Sequence, residues 1–177
     1  MKNIYSNIIK FNSKNFIKII NILKKNGIIG LPTETVYGLA GNAYSNSAIK
    51  KIFKIKKRLK KNPLIIHYYN FNHAKKDVLL DKNFYKVYKK FSPGPITYIV
   101  KKKNNSKIKP LACGNLKTVG IRFPKNKIIR KLLKKLEFPL AMPSANKSSG
   151  VSPVKPLDVF EEFNNKIKVV DGGISKI

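Results

Sequence analysis

The sequence predicts an α/β domain built on a twisted, mixed sheet flanked by helices, and three observations carry that prediction. Short β-branched and aliphatic runs alternate along the chain with stretches of helical apolar spacing. Turn residues such as Gly27, Pro32 and the Ser92-Pro93-Gly94-Pro95 run separate them. At 177 residues and 42% hydrophobic content, the chain suits one domain with a sizeable core. No internal repeat or linker interrupts it.

In chain order, Ser13 is expected to cap a helix to about Asn26, with Phe16, Ile19, Ile20 and Leu23 at helical spacing and Gly27 as its stop. Ile28 and Ile29 form a short interior strand that Pro32 ends. A polar turn follows, with Thr33, Glu34, Thr35 and Tyr37 among Gly30, Gly38 and Gly41. Hydroxyls and backbone amides packed among glycines can approach a small ligand closely. This is not a phosphate-binding loop, because the spacing is wrong and no Gly-Lys-Ser/Thr follows.

Ser45 or Asn46 starts the next helix, with Ala48, Ile49, Ile52 and Phe53 facing the core. It runs into a cationic turn, residues 54–61, where six of eight residues are Lys or Arg. A buried strand over Pro63, Leu64, Ile65 and Ile66 ends at His67. Charge fixed at the rim of a rigid sheet needs little reorganisation to meet a polyanion. Residues 71–90 contain a helical region with Val78, Leu79, Phe84, Val87 and Tyr88 for packing, and His73 is expected on its surface.

The turn at residues 92–95 leads into a strand over 96–100, then a charged loop over 101–110. Residues 118–124 form a strand with Thr118, Gly120 and Arg122 on one face. Arg122 ends it, where a bidentate grip on a carboxylate is geometrically natural. Asn126 starts an amphipathic helix to about Leu136, and Pro139, Leu140 and Ala141 open a buried strand. In the extended stretch beyond, Ser144 and Asn146 are two apart and point to one side. A helix after Pro156 and a strand over 167–170 complete the alternation, and the strand ends are where the chemistry is expected.

Composition narrows the function classes. A lone cysteine, Cys113, excludes an intrachain disulfide and a cysteine-cluster metal site. No apolar run spans a membrane and the N-terminal stretch lacks a leader's features, so a cytoplasmic protein is expected. The net charge of +30 suits RNA binding. The same excess of Lys, Asn and Ile, with few Arg and no Trp, also fits a very A+T-rich coding genome that loads lysine onto solvent faces. Of 38 basic residues only Arg58, Arg122 and Arg130 are arginine, and a site that keeps Arg uses its planar fork.

No GxSxG elbow is present, and neither histidine has metal-ligand spacing. Of eight carboxylates only Glu34 lies in a candidate segment, against a two-carboxylate hydrolase. Lys, Arg, Ser, Asn and Thr remain. That set suits phosphoryl or nucleotidyl transfer, where the protein positions groups and stabilises charge.

Five segments in order, GLPTETVYGLAGNA, KKRLKKNPLIIH, FSPGPIT, TVGIRFP and PLAMPSANKSSGVSP, resemble the YrdC/TsaC family of threonylcarbamoyl-AMP synthases over nearly the whole chain. The resemblance implies a single YrdC-like domain over 1–177 with a deep, basic concave site. It implies synthesis of threonylcarbamoyl-AMP and pyrophosphate from L-threonine, bicarbonate or CO2, and ATP, with Mg2+ carried on the nucleotide and no protein-bound metal. The product feeds threonylcarbamoyladenosine formation in tRNA, so tRNA and downstream threonylcarbamoyl-transfer proteins are implied partners.

By the same resemblance the catalytic set is Lys56, Arg58, Ser144 and Asn146. ATP contacts fall on Arg58, Asn62, Thr118, Ser144 and Ser152, and threonine contacts on Thr35, His67, Arg122 and the backbone at Met142. Leu59 stands where the family usually has proline, and Met142 where it has a small residue. Family members continue past the Asp-Gly-Gly turn into a closing strand that is expected to be missing here, through truncation or in a minimal version. Two other readings stand beside the synthase: a non-catalytic double-stranded RNA or tRNA-binding module of the same fold, and a hydrogenase-maturation carbamoyl-transfer domain, whose accompanying acylphosphatase and zinc-finger segments do not occur.

Overall fold

The computed structural model describes residues 7–176; part of the N-terminal stretch read for a leader, and Ile177, lie outside them. Strand β1 is Ile8–Lys10, followed by helix α1, Ser13–Lys24, and strands β2, Ile29–Leu31, and β3, Gly38–Asn42. Helix α2, Asn46–Lys56, leads to β4, Ile66–His67, and then to α3, Phe71–Ala74, and α4, Lys82–Phe91. Next come β5, Thr97–Lys101, a 3-10 turn at Pro110–Cys113, β6, Thr118–Arg122, and α5, Lys127–Lys135. Strand β7, Leu140–Ala141, helix α6, Pro156–Glu162, and strand β8, Val169–Asp171, finish the chain.

The eight strands form one mixed sheet in the order β1-β8-β2-β3-β7-β4-β6-β5. Strand β3 joins its halves: Gly38, Leu39 and Ala40 pair antiparallel with β2, and Gly41 and Asn42 with β7. Strand alternation then divides the core. Leu39, Ile66, Ile121 and Ala141 face the layer of α2, α4 and α6, with Ile52, Phe84 and Val159 among their partners. Ile29, Leu31, Ala40, Leu140 and Met142 face α1 and α5, meeting Ile19, Leu23, Ile129 and Leu132. No helix among the described residues is long and apolar enough to cross a membrane.

Local chemistry moves several expected boundaries. The α1 cap is Asn12, whose side chain accepts from Asn15 N; Ser13 is the first helical residue. The left-handed turn after α1 is taken by Asn26 (φ 56°) rather than Gly27. Gly27 is required for another reason, since a Cβ there would stand 2.8 Å from Ile22. The polar turn is shorter than expected, because Gly38 and Gly41 already belong to β3.

The strand before His67 is only two residues long; Leu64 N is spent on Ala112 O instead. Residues 71–91 break into two helices, because Val78 bridges to Lys102 and Leu79 N bonds Lys101 O, which leaves the Leu79 side chain exposed. His73 is half-buried, tilted against the Tyr69 ring with centroids 5.8 Å apart. Strand β1 is unforeseen; it pairs in parallel with β8 and extends the sheet by one strand.

Candidate functional site

Four segments meet on the α1/α5 side of the sheet. Ile65, His67, Arg122 and Met142 alternate with Ile66, Ile121 and Ala141, so they look out from the face opposite α2, α4 and α6. With Thr33, Thr35, Val36, Gly38, Arg58, Pro63, Pro143 and Ser144 they line a cavity of about 270 Å³. The site therefore opens on this face of the sheet at strand ends, as the sequence suggested: His67 and Arg122 close β4 and β6, Gly38 opens β3 and Met142 follows β7. Gly38 makes this wall feasible: a Cβ there would lie 2.4 Å from Met142 Cγ, so the bulky Met142 is matched by an absent side chain.

The β2–β3 turn is held from within. Thr33 Oγ1 donates to Val36 O at 2.6 Å and accepts from the backbone of Thr35 and Val36. This fixes Glu34 and Thr35 towards Arg122. Glu34 Oε1 receives Arg122 Nη2 at 2.6 Å and Nε at 3.2 Å, and Arg122 Nη2 also reaches Thr35 Oγ1 at 3.1 Å. Glu34 Oε2 accepts from the backbone of Lys125 (3.0 Å) and Asn126 (3.3 Å), which lead into α5. One carboxylate thus ties the hairpin to β6 and to the start of a helix.

Arg122 is not an exposed edge residue. Strand β6 lies between β4 and β5, and its guanidinium is mostly covered. Its Nε/Nη2 edge grips a carboxylate through two bonds, as its place at the strand end suggested, and that carboxylate is Glu34 of this chain. Burial works to raise the Glu34 carboxyl, but the hydrogen bond and charge of Arg122 and the backbone donors hold it below the ordinary carboxylate value. His67 is buried where it lines the cavity. Burial, then the neighbouring Arg122 charge, pull its pKa down to about 3, so the ring is neutral at working pH.

The cationic turn divides into two roles. Lys57 takes a left-handed conformation (φ 50°) as the α2 cap, so Lys56 and Arg58 on either side of it diverge. Arg58 turns to the cavity and is braced by Asn62 O (3.1 Å) and Pro63 O (3.0 Å). Lys56 turns inward, 1% exposed, and its ammonium donates to Ser144 O (2.7 Å) and Asn146 O. Asn146 is also buried; its amide donates to Lys147 O and Gly150 O, and its Oδ1 has no partner among the described residues.

Of the expected site residues, the structure brings Thr35, Arg58, His67, Arg122, Met142 and Ser144 to one cavity. Lys56 and Asn146 stand behind Ser144. Thr118 is on the same sheet face as Arg122, four residues back along β6, or about 13 Å at strand rise. Asn62 and Ser152 are exposed and do not line the cavity. Sequence reasoning missed Glu34 as the partner of Arg122; the signal was a lone carboxylate in a hydroxyl-rich turn of a very basic chain. It also missed Tyr37, fully buried, whose hydroxyl accepts from Gly172 N and donates to Gly173 O, fastening the C-terminal segment to the site hairpin. A roomier cavity, about 700 Å³ beside Phe11, Phe16 and Lys131, contains none of these residues.

Against known proteins, the Sua5/YciO/YrdC family model, described as "Telomere recombination", matches residues 21–177. A threonylcarbamoyl-AMP synthase from Pyrococcus abyssi is 39% identical over 88% of this chain and 46% of that protein. Another from Histophilus somni is 33% identical over 89% of this chain and 86% of its own length. The crystal structure of P. abyssi Sua5 complexed with L-threonine superimposes with a TM-score of 0.90 at 34% identity, covering 95% of this chain and 51% of that one. The chain thus spans about half the length of its Pyrococcus relative.

Proposed function

The chain belongs to the Sua5/YciO/YrdC family, and we propose that it is a threonylcarbamoyl-AMP synthase, making threonylcarbamoyl-AMP and pyrophosphate from L-threonine, bicarbonate or CO2, and ATP. The observation that carries this reading is the cavity lined together by Thr35, Arg58, His67, Arg122, Met142 and Ser144. The threonine bound to the Pyrococcus relative of the same fold supports it. A volume of about 270 Å³ lies just below the usual range of ligand pockets, which suits an amino acid better than a whole nucleotide. The nucleotide then extends past the cavity rim, towards Asn62, Thr118 and Ser152.

In this reading threonine's amine adds to CO2, and a carbamate oxygen attacks the α-phosphorus as pyrophosphate leaves. The adenylyl group is transferred, so the enzyme is a nucleotidyltransferase. Threonine's carboxylate meets the side of Arg122 that Glu34 leaves open, near the Thr35 hydroxyl. Neutral His67 offers a hydrogen bond without changing charge. Arg58, already oriented by two carbonyls, faces the charge that grows on the phosphates.

Mg2+ enters on the nucleotide as part of the substrate. Glu34, the carboxylate held by Arg122 beside the cavity, has both oxygens engaged, and no cluster of metal-ligating side chains occurs among the described residues. The product would serve threonylcarbamoyladenosine formation in tRNA. The test is calorimetric binding of threonine and ATP together with mass spectrometry of the product. Threonylcarbamoyl-AMP is expected. RNA binding without threonine-dependent ATP binding would instead favour a non-catalytic RNA module.

A further inference from the structure

We propose that Lys56 is a positioning residue: its buried side chain clamps the backbone of Ser144 and Asn146 and thereby holds Ser144 at the cavity wall beside Arg58. The inference rests on the synthase reading only for its effect on substrate; the clamp itself is a property of the fold.

Lysines crowd the surface of this chain, yet Lys56 is 1% exposed. Its ammonium donates to two main-chain oxygens, Ser144 O and Asn146 O, and to no carboxylate among the described residues. The same loop is fastened at further points. Ser148 N donates to Lys56 O at 2.9 Å, Ala145 N to Tyr37 O at 2.8 Å, and Lys147 N to Glu162 Oε1 at 2.7 Å. The segment after β7 is thus tied to α2, to the β2–β3 turn and to α6.

Burying an ammonium is costly, and here two carbonyl dipoles meet it with no contacting counter-ion among the described residues. Arg58 adds like charge, and Glu162 on α6 is the one carboxylate that favours the charged form. Burial, then Arg58, bring the Lys56 pKa down to about 8. The clamp does not depend on that proton. A neutral amine keeps two N–H groups for two carbonyls. A lysine that acted on the polyphosphate by charge would lose its effect as pH rose through 8.

Amide hydrogen exchange on the substrate-free protein, with ATP and threonine Michaelis constants from pH 7 to 9.5, separates these roles. The wild type is expected to keep Ala145, Ser148 and Gly150 protected across the range, after correction for intrinsic exchange, with a flat ATP Michaelis constant. In Lys56→Met those amides should exchange at least about tenfold faster while β5 and β6 are unchanged, because two buried carbonyls lose their donors. The Michaelis constant for ATP should rise more than that for threonine. Where Lys56→Met does not fold, Lys56→Arg takes its place; it keeps donors for both carbonyls and should restore protection, with the same flat profile as wild type.

The proposal is overturned if Lys56→Met leaves the loop protected. It is equally overturned if the wild-type ATP Michaelis constant climbs above pH 8 while Lys56→Arg abolishes that climb. Absence of threonine-dependent turnover in the wild type would defeat the synthase reading alone, since the exchange arm uses no substrate.

Discussion

Arg58 shows at the scale of one residue what was legible and what was not. Its rarity among 38 basic residues marked it, and the structure adds how it is aimed, by Asn62 O and Pro63 O. Arg58→Ala should leave the fold intact and cost roughly 2–4 kcal/mol in the transition state, about 30- to 1,000-fold in turnover. Lysine should rescue only part of this, because a point charge does not reproduce the fork. Steady-state pyrophosphate release measures it, and wild-type turnover in R58A would remove Arg58 from the site. Arg122→Ala should raise the Michaelis constant for threonine far more than that for ATP; an equal rise would mean a structural role at the end of β6. Helical spacing sets Lys56 on the stripe of Ile49, Ile52 and Phe53, so it faces in, and the left-handed Lys57 that ends α2 then turns Arg58 out, which no local spacing shows.

Glu34 works between elements, joining the β2–β3 turn to β6 and to the α5 start. Its carboxyl is held below the ordinary value of 4.5, so its stabilisation is fully present above that pH and is lost as pH falls through the lower, folded value. The melting temperature of the wild type should therefore fall more steeply below about pH 4.5 than that of Glu34→Gln. Parallel acid limbs would show that the ion pair contributes nothing. Glu34→Ala should cost about 1–3 kcal/mol at neutral pH, since it leaves a mostly covered guanidinium unpaired. The helices were readable as elements because apolar spacing persists over several turns, as in α2 and α5. The two-residue strands β4 and β7 were harder to bound. Their edges depend on distant partners, such as Ala112 O for Leu64 N, which no local pattern encodes.

For the whole molecule, alternation of elements was enough to predict the mixed α/β sheet, but not the order in which distant strands pair or the face that carries the cavity. Parallel pairing of β1 with β8 brings together residues about 160 positions apart, and only tertiary packing selects it. The net charge of +30 is met by one ion pair among the described residues, so self-repulsion opposes folding. Raising salt from about 0.02 to about 0.3 M should raise the melting temperature, because screening shortens the reach of that repulsion. A fall would mean that the Glu34–Arg122 pair outweighs it. The central claim, that the Thr35–Arg58–His67–Arg122–Ser144 cavity makes the adenylate of a threonine carbamate, is tested most directly by pyrophosphate release from ATP with threonine and bicarbonate supplied or withheld. The account predicts release that needs both. Release that ignores threonine, or none at all from the folded chain, would contradict it.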